Sequence, residues 1–337
     1  MINVLKAMVL HSPSPIEEEP LIYSDLDKPC TGKGEVLLRI KCCGVCRTDL
    51  HIVEGELKPV KLPLIPGHMV VGVVEEIGEG VEGVEKGLRV GVPWLYWSCG
   101  ECRFCRRGLE NLCENALFTG YSVDGGYAEY MVAKSDFIHP IPSGYEDCYA
   151  APLLCAGAIG YRALRLTGLV GRGGRLGLFG FGASAHLVLQ IARYLGLETY
   201  VFTSRREKID YALRLGADWA GLTRDEPPHK LDAAIVFAPV GWVAIEALKK
   251  LDKAGRLVLA EIYMSPWEEL DYSLLWYERE IKSVANVARE DVRGVLEIAS
   301  KAGIKPDIVV YGLREANEAL YDLKYGRFKG SAVLRIS

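Results

Sequence analysis

Cys99, Cys102, Cys105 and Cys113 lie in the stretch SCGECRFCRRGLENLCE with the spacing C-x2-C-x2-C-x7-C. Four thiolates that can converge on one point suit a tetrahedral Zn²⁺ with no open position. Such a site contributes folding energy rather than chemistry. A second group of side chains offers chemistry of another kind. Cys46-Arg47-Thr48-Asp49-Leu50-His51 gathers a thiol, a hydroxyl, a carboxyl and an imidazole. Pro66-Gly67-His68-Met69 and Pro152-Leu153-Leu154-Cys155-Ala156-Gly157 follow downstream. Cys46, His68 and Cys155 would make a Cys₂His set, and three protein ligands leave Zn²⁺ an open fourth position. Singly, each has a plainer explanation. A free cysteine is usually a small buried hydrophobe, and a histidine after glycine commonly satisfies a backbone hydrogen bond. Thr48 and Asp49 also suit the start of a helix. Their spacing alone does not unite the three ligands.

A nucleotide-binding pattern lies further along. Gly180-Phe181-Gly182-Ala183-Ser184-Ala185 has the form G-x-G-x-x-A, between a predicted strand and a predicted helix. Gly180 permits a tight turn, Gly182 lets the backbone approach a pyrophosphate, and Ala185 allows close helix–strand packing. The helix N-terminus, at Ala183 and Ser184, then presents free N–H groups to phosphate. An acidic residue at the end of the next strand would bind the ribose hydroxyls of NAD. Here the strand ends Val201-Phe202-Thr203-Ser204-Arg205-Arg206, with no carboxylate before Glu207. Ser204 can donate to a phosphate and the two arginines can pair with one. The pattern predicts NADP(H) in preference to NAD(H).

These residues need elements to hold them. Up to about residue 150 the chain is β-rich, with runs such as EVLLRIKCCGV and MVVGVVEEIG broken by Gly and Pro. The opening MINVLKAMVL reads as a first strand, because Lys6 interrupts its apolar stretch and no cleavage pattern follows. From about residue 155 strands and helices alternate: GRLGLFGFG, ASAHLVLQIARYLG, ETYVFTS, REKIDYALRLG, LDAAIVFAP, GWVAIEALKKL, GRLVLAE and IKSVAN. That alternation predicts a parallel sheet with helices on both faces. The tail reads as a helix (VRGVLEIASKAG), a strand at Ile308–Tyr311, a helix (REANEALYDLKYG) and a last strand, AVLRI.

The 337 residues are half apolar, ample for two cores, and carry a formal net charge of −4. A slightly acidic chain lacks the broad basic footprint of a nucleic-acid or anionic-membrane binder. No apolar run approaches the roughly 18 residues of a spanning helix. Ten cysteines are too sparse for a disulfide scaffold, and CxxC spacing favours metal and a reducing cytoplasm. One glutamine and five asparagines suit a thermophilic source, although the cysteine count points the other way. Cys42 and Cys43 sit on a predicted strand and are expected as buried thiols; Cys30 and Cys148 have no assigned role.

CRTDLH, PGH, the four-cysteine lobe, GGYAEY (Gly125 to Tyr130), APLLCAG and the glycine turn occur in one order over nearly the whole chain. That order resembles the zinc-containing medium-chain alcohol dehydrogenases. PWLYWSCGECRFC, ENLC, GFGASAHLVLQ, AAIVFAPVG and LLWYERE–SVAN are similar to a bacterial and archaeal branch of the family. The resemblance implies a GroES-like β-rich catalytic domain over 1–155, completed by 288–337, and a Rossmann domain over 156–287. It also implies a cleft between them. It implies catalytic zinc at Cys46, His68 and Cys155, and structural zinc at the lobe. It assigns Thr48 to the substrate oxygen and His51 to the outer end of a proton relay. It sets Asp49 behind the ligating histidine and Arg47 near the cofactor pyrophosphate. Trp94 matches a substrate-pocket position, with Leu57 and Phe118 as further wall residues, suited to bulky apolar or aromatic alcohols, ketones and aldehydes. The family commonly forms homodimers or homotetramers through Rossmann edge strands, here GRLVLAE and SVAN. One departure stands out. Met69 replaces the glutamate that usually follows the zinc-binding histidine, so zinc is expected to bind but to leave more easily. A same-fold ketone, quinone or enone reductase with a weak or empty site is the alternative. A zinc-ribbon nucleic-acid module is opposed by the net charge and by the cofactor pattern.

Overall fold

The computed structural model describes residues 4–267 and 269–337. The first three residues of the expected opening strand therefore lie outside the described residues. The chain divides into two compact units. Residues up to Cys155, Asn286–Ser300 and Pro306–Ser337 make the first; Ala156–Ala285 and Lys301–Lys305 make the second.

The first unit begins with β1 (Val4–Leu10), β2 (Leu21–Asp27) and the long β3 (Glu35–Val45), which leads into α1 (Arg47–Val53). There follow β4 (Met69–Ile77), β5 (Arg89–Val92), β6 (Leu95–Trp97), β7 (Leu117–Phe118), β8 (Tyr130–Lys134), β9 (His139–Pro140) and the four-residue α2 (Asp147–Ala150). In the second unit α3 (Ala156–Thr167), β10 (Arg175–Phe179), α4 (Ala183–Tyr194), β11 (Glu198–Thr203), α5 (Glu207–Arg214) and β12 (Trp219–Leu222) alternate. The series continues with β13 (Leu231–Val236), α6 (Gly241–Lys250), β14 (Leu251–Leu259) and β15 (Glu280–Ser283). The tail is α7 (Arg289–Ala302), β16 (Ile308–Gly312), α8 (Ala316–Tyr325) and β17 (Ser331–Arg335).

The first unit's main sheet runs β16-β17-β3-β4-β5-β9, with β8 also on β3. β3 is its hub, antiparallel to β17, β4 and β8. Its alternate residues Val36, Leu38 and Ile40 are fully buried in a core shared with Val70, Val74, Val90 and Leu334. Burying this strand stabilises everything attached to its ends, at about 25 cal/mol per Å² of apolar surface. Cys42, expected as a free thiol, is instead bonded to Cys148, joining β3 to α2 with their Cα atoms 5.4 Å apart. The two are 106 residues apart in sequence, so only the fold could reveal the pair. Cys43 is a buried free thiol.

The second unit's sheet has strand order β12-β11-β10-β13-β14-β15, all parallel. In order of appearance this is 3-2-1-4-5-6, the doubly wound arrangement whose ligand crevice opens between the first and fourth strands. Its core stacks Phe179 on Phe202 with ring centroids 4.1 Å apart. Among the described residues no helix is long and apolar enough to cross a membrane.

One buried group makes the first unit sensitive to acid. His139, 2 % exposed on β9, has an Nε2 with no hydrogen-bond partner among the described residues. Burial, then the charges of Arg293 and Arg289, lower its pKa to about 3 from an ordinary 6.5. The unfolded chain therefore accepts a proton that the folded chain refuses. The group's contribution is complete above pH 6.5 and is lost as pH falls towards 3. From this group alone, unfolding free energy should drop by about 1.4 kcal/mol per pH unit within that window. Denaturant unfolding at pH 7, 5.5 and 4 should show a shallower slope for His139→Gln. Identical slopes would remove His139 from the account.

Candidate functional site

β3 delivers its C-terminal end directly to Cys46, the residue before the first turn of α1. His68 immediately precedes β4, whose first residue, Met69, pairs with Gly44 of β3. That register brings the two ligands together. Cys155 closes a buried turn at 151–154, packed against β3, β4 and β5. The ligand atoms of Cys46, His68 and Cys155 lie within 4.8 Å of one another. His68 Nε2 is 3.3 Å from Cys155 Sγ.

Asp49 organises this set from behind. It is fully buried. Its Oδ1 accepts from His68 Nδ1 at 2.8 Å, and its Oδ2 accepts from the Cys46 N–H at 2.9 Å and the Tyr127 hydroxyl at 3.3 Å. Helix capping and histidine orientation thus reside in one carboxylate. With Nδ1 committed, Nε2 is the nitrogen that faces the sulfurs. Tyr127 reaches the carboxylate because residue 67 is glycine. Gly67 has φ +98°, and a Cβ there would sit 2.4 Å from the Tyr127 ring.

The charges of the set fit a cation. The thiol of Cys155 and the neighbouring imidazole hold Cys46 well below the ordinary thiol range, against burial. The same contact with Cys46, reinforced by burial, pushes Cys155 well above it. Burial opposes a proton on His68, but Asp49 and Cys46 overcome it and raise the imidazole to about 10. Protons here stand where a divalent ion would neutralise two thiolates, and the soft S₂N donor set suits zinc.

The four-cysteine lobe lies between β6 and β7. Cys99 Sγ is 3.5 Å from Cys113 Sγ and 4.0 Å from Cys105 Sγ. Zn–S bonds of about 2.3 Å in a tetrahedron need S···S edges of about 3.8 Å. The backbone N–H groups of Cys99, Cys102 and Cys105 point at the sulfurs of Cys113, Cys99 and Cys102. The N–H of Cys105 is the main cause that lowers Cys102 to about 6, whereas burial and Cys102 push Cys105 up to about 12. Four sulfurs at this spacing could hold a tetrahedral ion with no position left for a substrate.

Thr48 Oγ1 lies 3.8 Å from Cys46 Sγ. His51 is one turn further along α1, where side chains three apart share a face. Its Nδ1 is hydrogen-bonded to Glu56, a partner that sequence reading missed. Trp94 presents an edge to His68 at 4.9 Å and stacks on Phe118 at 5.1 Å and on Tyr121 at 5.7 Å. Tyr121 was also missed; its hydroxyl donates to the Lys58 carbonyl at 3.1 Å, beside Leu57. Leu57 packs partly buried against the first unit's core. Met69 is buried against Gly44, where a Cβ would meet its Cε at 2.6 Å. Arg47 is exposed, and its guanidinium donates to the Leu323 carbonyl of α8 at 3.5 Å.

In the second unit Gly180 leaves β10 at φ +87°, with the Phe237 carbonyl 3.2 Å from any added Cβ. Nothing crowds Gly182, which precedes α4. Ala183, Ser184 and Ala185 form the first turn of α4. Ser204, Arg205 and Arg206 are exposed at the end of β11, next to the turn, since the Gly180 N–H donates to Phe202. Lys208, unremarked in the sequence, donates from Nζ to the Phe181 carbonyl at 2.7 Å. It ties the glycine turn to α5.

Comparisons with known proteins place nearly the whole chain among related sequences and folds. The model of the alcohol dehydrogenase GroES-like domain matches residues 32–143. A probable alcohol dehydrogenase, AdhA, of Mycobacterium tuberculosis is 44% identical over 98% of this chain and 97% of its own length. Acetophenone reductase from Geotrichum candidum, solved in complex with NAD, superposes with a TM-score of 0.88 at 26% identity, covering 99% of this chain and 98% of its own. CAD from Helicobacter pylori, complexed with NADP(H), gives a TM-score of 0.88 at 25% identity over 99% of each chain.

Asp49→Asn keeps the size and removes the charge that orients His68. Zinc affinity at the three-residue set should fall about 10- to 100-fold, with the lobe unaffected, in competition against a chromophoric chelator. Unchanged affinity would reduce Asp49 to a helix cap.

Proposed function

The chain belongs to the zinc-containing medium-chain alcohol dehydrogenase family, and from that premise we propose how its own side chains serve the reaction. It is an enzyme that transfers hydride between alcohols and carbonyl compounds with a nicotinamide cofactor. The observation that carries the proposal is the convergence of Cys46, His68 and Cys155 around one point, with His68 fixed by a buried carboxylate. We assign Zn²⁺ to this set and a second, structural Zn²⁺ to the lobe. When bound, catalytic zinc supplies Lewis acidity that makes a substrate hydroxyl easier to deprotonate.

Oxidation of an alcohol moves a hydride from the carbinol carbon to the nicotinamide and releases the hydroxyl proton. Thr48 Oγ1, beside Cys46, accepts that proton and hands one on. His51, a turn away, is the outer group. Its Nδ1 is held by Glu56, which leaves Nε2 to exchange with water. The reverse sequence reduces a ketone or aldehyde. Trp94, with Phe118, Tyr121 and Leu57, forms an apolar wall beside His68 that excludes water and favours bulky or aromatic groups. Asp49 orients; it exchanges no proton with substrate.

The cofactor is NADP(H) in preference to NAD(H). Relatives of this fold bind either, so the chain's own residues decide. Exposed Ser204, Arg205 and Arg206 offer a hydroxyl and two guanidinium forks where an NAD enzyme has a carboxylate. Gly180, Gly182 and the start of α4 take the pyrophosphate. Met69 removes one negative charge from the neighbourhood of the first zinc, so that ion is held less firmly than in relatives with glutamate at this position.

The enzyme forms a homo-oligomer through the edge of its parallel sheet. β15 ends that sheet, and Tyr272, Trp276 and Tyr277 beside it in sequence are 68 %, 53 % and 53 % exposed. An unpaired edge with aromatic neighbours is a template for a second copy.

Metal analysis with an NADPH/NADH comparison over ketones and aldehydes tests the enzyme reading. Two zinc ions per chain, one lost first to EDTA, a preference for NADPH, and no turnover by Cys46→Ser are expected. Full activity of Cys46→Ser would favour a zinc-independent reductase, and a preference for NADH would overturn the reading of Ser204 to Arg206. Light scattering tests the assembly: Trp276→Glu should give a smaller species than wild type, and equal masses would move the interface elsewhere.

A further inference from the structure

We propose that the Cys42–Cys148 disulfide is a clamp that positions Cys155 against Cys46 and His68, so that metal retention at this set depends on a bond neither metal site contains. The inference rests on zinc occupying the three-residue set.

The three ligands arrive by unequal routes. Cys46 and His68 are fixed by neighbouring strands, through the register of Gly44 on Met69. Cys155 has no strand. It follows two consecutive four-residue helical turns, α2 and the turn at 151–154. Segments this short have no stability of their own. Two things hold them. One is packing: Ala150, Ala151, Leu153 and Leu154 are fully buried, and Leu154 fills the space above Gly91 of β5, where a Cβ would meet it at 2.5 Å. The other is the covalent bond from Cys148 to Cys42.

The placement of that bond matters. Cys42 stands four residues before Cys46 on β3, and Cys148 stands seven residues before Cys155. Without the crosslink, the two thiolate ligands stand 109 positions apart along the chain. With it, the covalent route is about a tenth as long. Ring-closure statistics put the gain in local concentration of one thiolate at the other at about thirtyfold, as a ceiling that packing reduces. Both cysteines are buried, at 2 % and 7 % exposure, so the bond is shielded from solvent thiols in the folded chain. The lobe's cysteines span only 15 residues and need no such aid.

The test compares wild type with Cys42→Ala/Cys148→Ala, with exposed Cys30→Ser as control. Peptide mapping without reductant should find the Cys42–Cys148 link in wild type. In metal-stripped protein, hydrogen exchange over 149–156 should quicken in the double variant while β4 and β5 stay protected. In loaded protein, 4-(2-pyridylazo)resorcinol should capture one zinc about tenfold faster from the double variant, with the second zinc released at the wild-type rate. A general loss of stability would quicken both. If the double variant fails to fold, wild type opened with a water-soluble phosphine serves instead; phosphorus gives up two electrons and takes the oxygen of one water to become the oxide, and that water's two protons go to the two sulfurs. No crosslinked peptide, or equal exchange over 149–156, overturns the clamp. Equal zinc release overturns its role in metal retention. One zinc per chain in wild type would instead sink the metal reading, and the exchange comparison still decides the clamp.

Discussion

A single buried carboxylate underlies the active region. Asp49 is fully enclosed, and a charge in that position survives only if its lone pairs are occupied. Three donors occupy them: the backbone at the start of α1, the imidazole of His68 and the hydroxyl of Tyr127. The long β3, the turn before β4 and the Gly125–Tyr130 segment therefore meet at one point. Removing one partner of such a buried network costs about 3–5 kcal/mol. The same network constrains the residue before His68. Only glycine at 67 lets the tyrosine ring approach, and only with that ring in place is the carboxylate fully satisfied.

From that point the two candidate metal sites follow opposite logic. The lobe gathers its four sulfurs from one short loop and lets backbone N–H groups stabilise them. Its geometry is local and closed. The Cys46–His68–Cys155 set is drawn from three distant places, and each ligand needs a support of its own: a strand end, a carboxylate and a crosslinked turn. Distributed support is what would fix three ligands around an ion while leaving a fourth position open. Closure gives stability; openness requires scaffolding from outside the ligand set.

This contrast explains what could be read from the residues in order. The lobe was legible because its information lies within 15 consecutive residues. The glycine turn and the β-α-β alternation were legible for the same reason: periodicity and turn chemistry are short-range properties. Cys46, His68 and Cys155 could be named as a set only through resemblance, since nothing local unites them. Glu56 beside His51 and Lys208 on the Phe181 carbonyl were missed because a charged residue in a loop or on a helix looks like ordinary solvated surface. The Cys42–Cys148 bond was hidden more deeply. A cysteine on an apolar strand reads as packing, and its partner lies 106 residues away. The aromatic wall was half visible: Trp94 and Phe118 were singled out, whereas Tyr121 becomes relevant only when β6 and β7 fold back on each other.

That fold-back has an evolutionary consequence. The lobe enters and leaves through two strands that pair with each other, and Thr119 fastens the exit by donating from Oγ1 to the Pro93 carbonyl at 2.8 Å and from N–H to Trp94 at 2.9 Å. The excursion from Ser98 to Ala116 is thus sealed at its neck. Exposed residues of the loop, such as Arg103 and Glu114, can change without disturbing Trp94, provided the neck and the four sulfurs persist. One tie crosses the neck: Glu110 accepts from the backbone and the guanidinium of Arg289 on α7, so a change of loop is free only where that ion pair is kept.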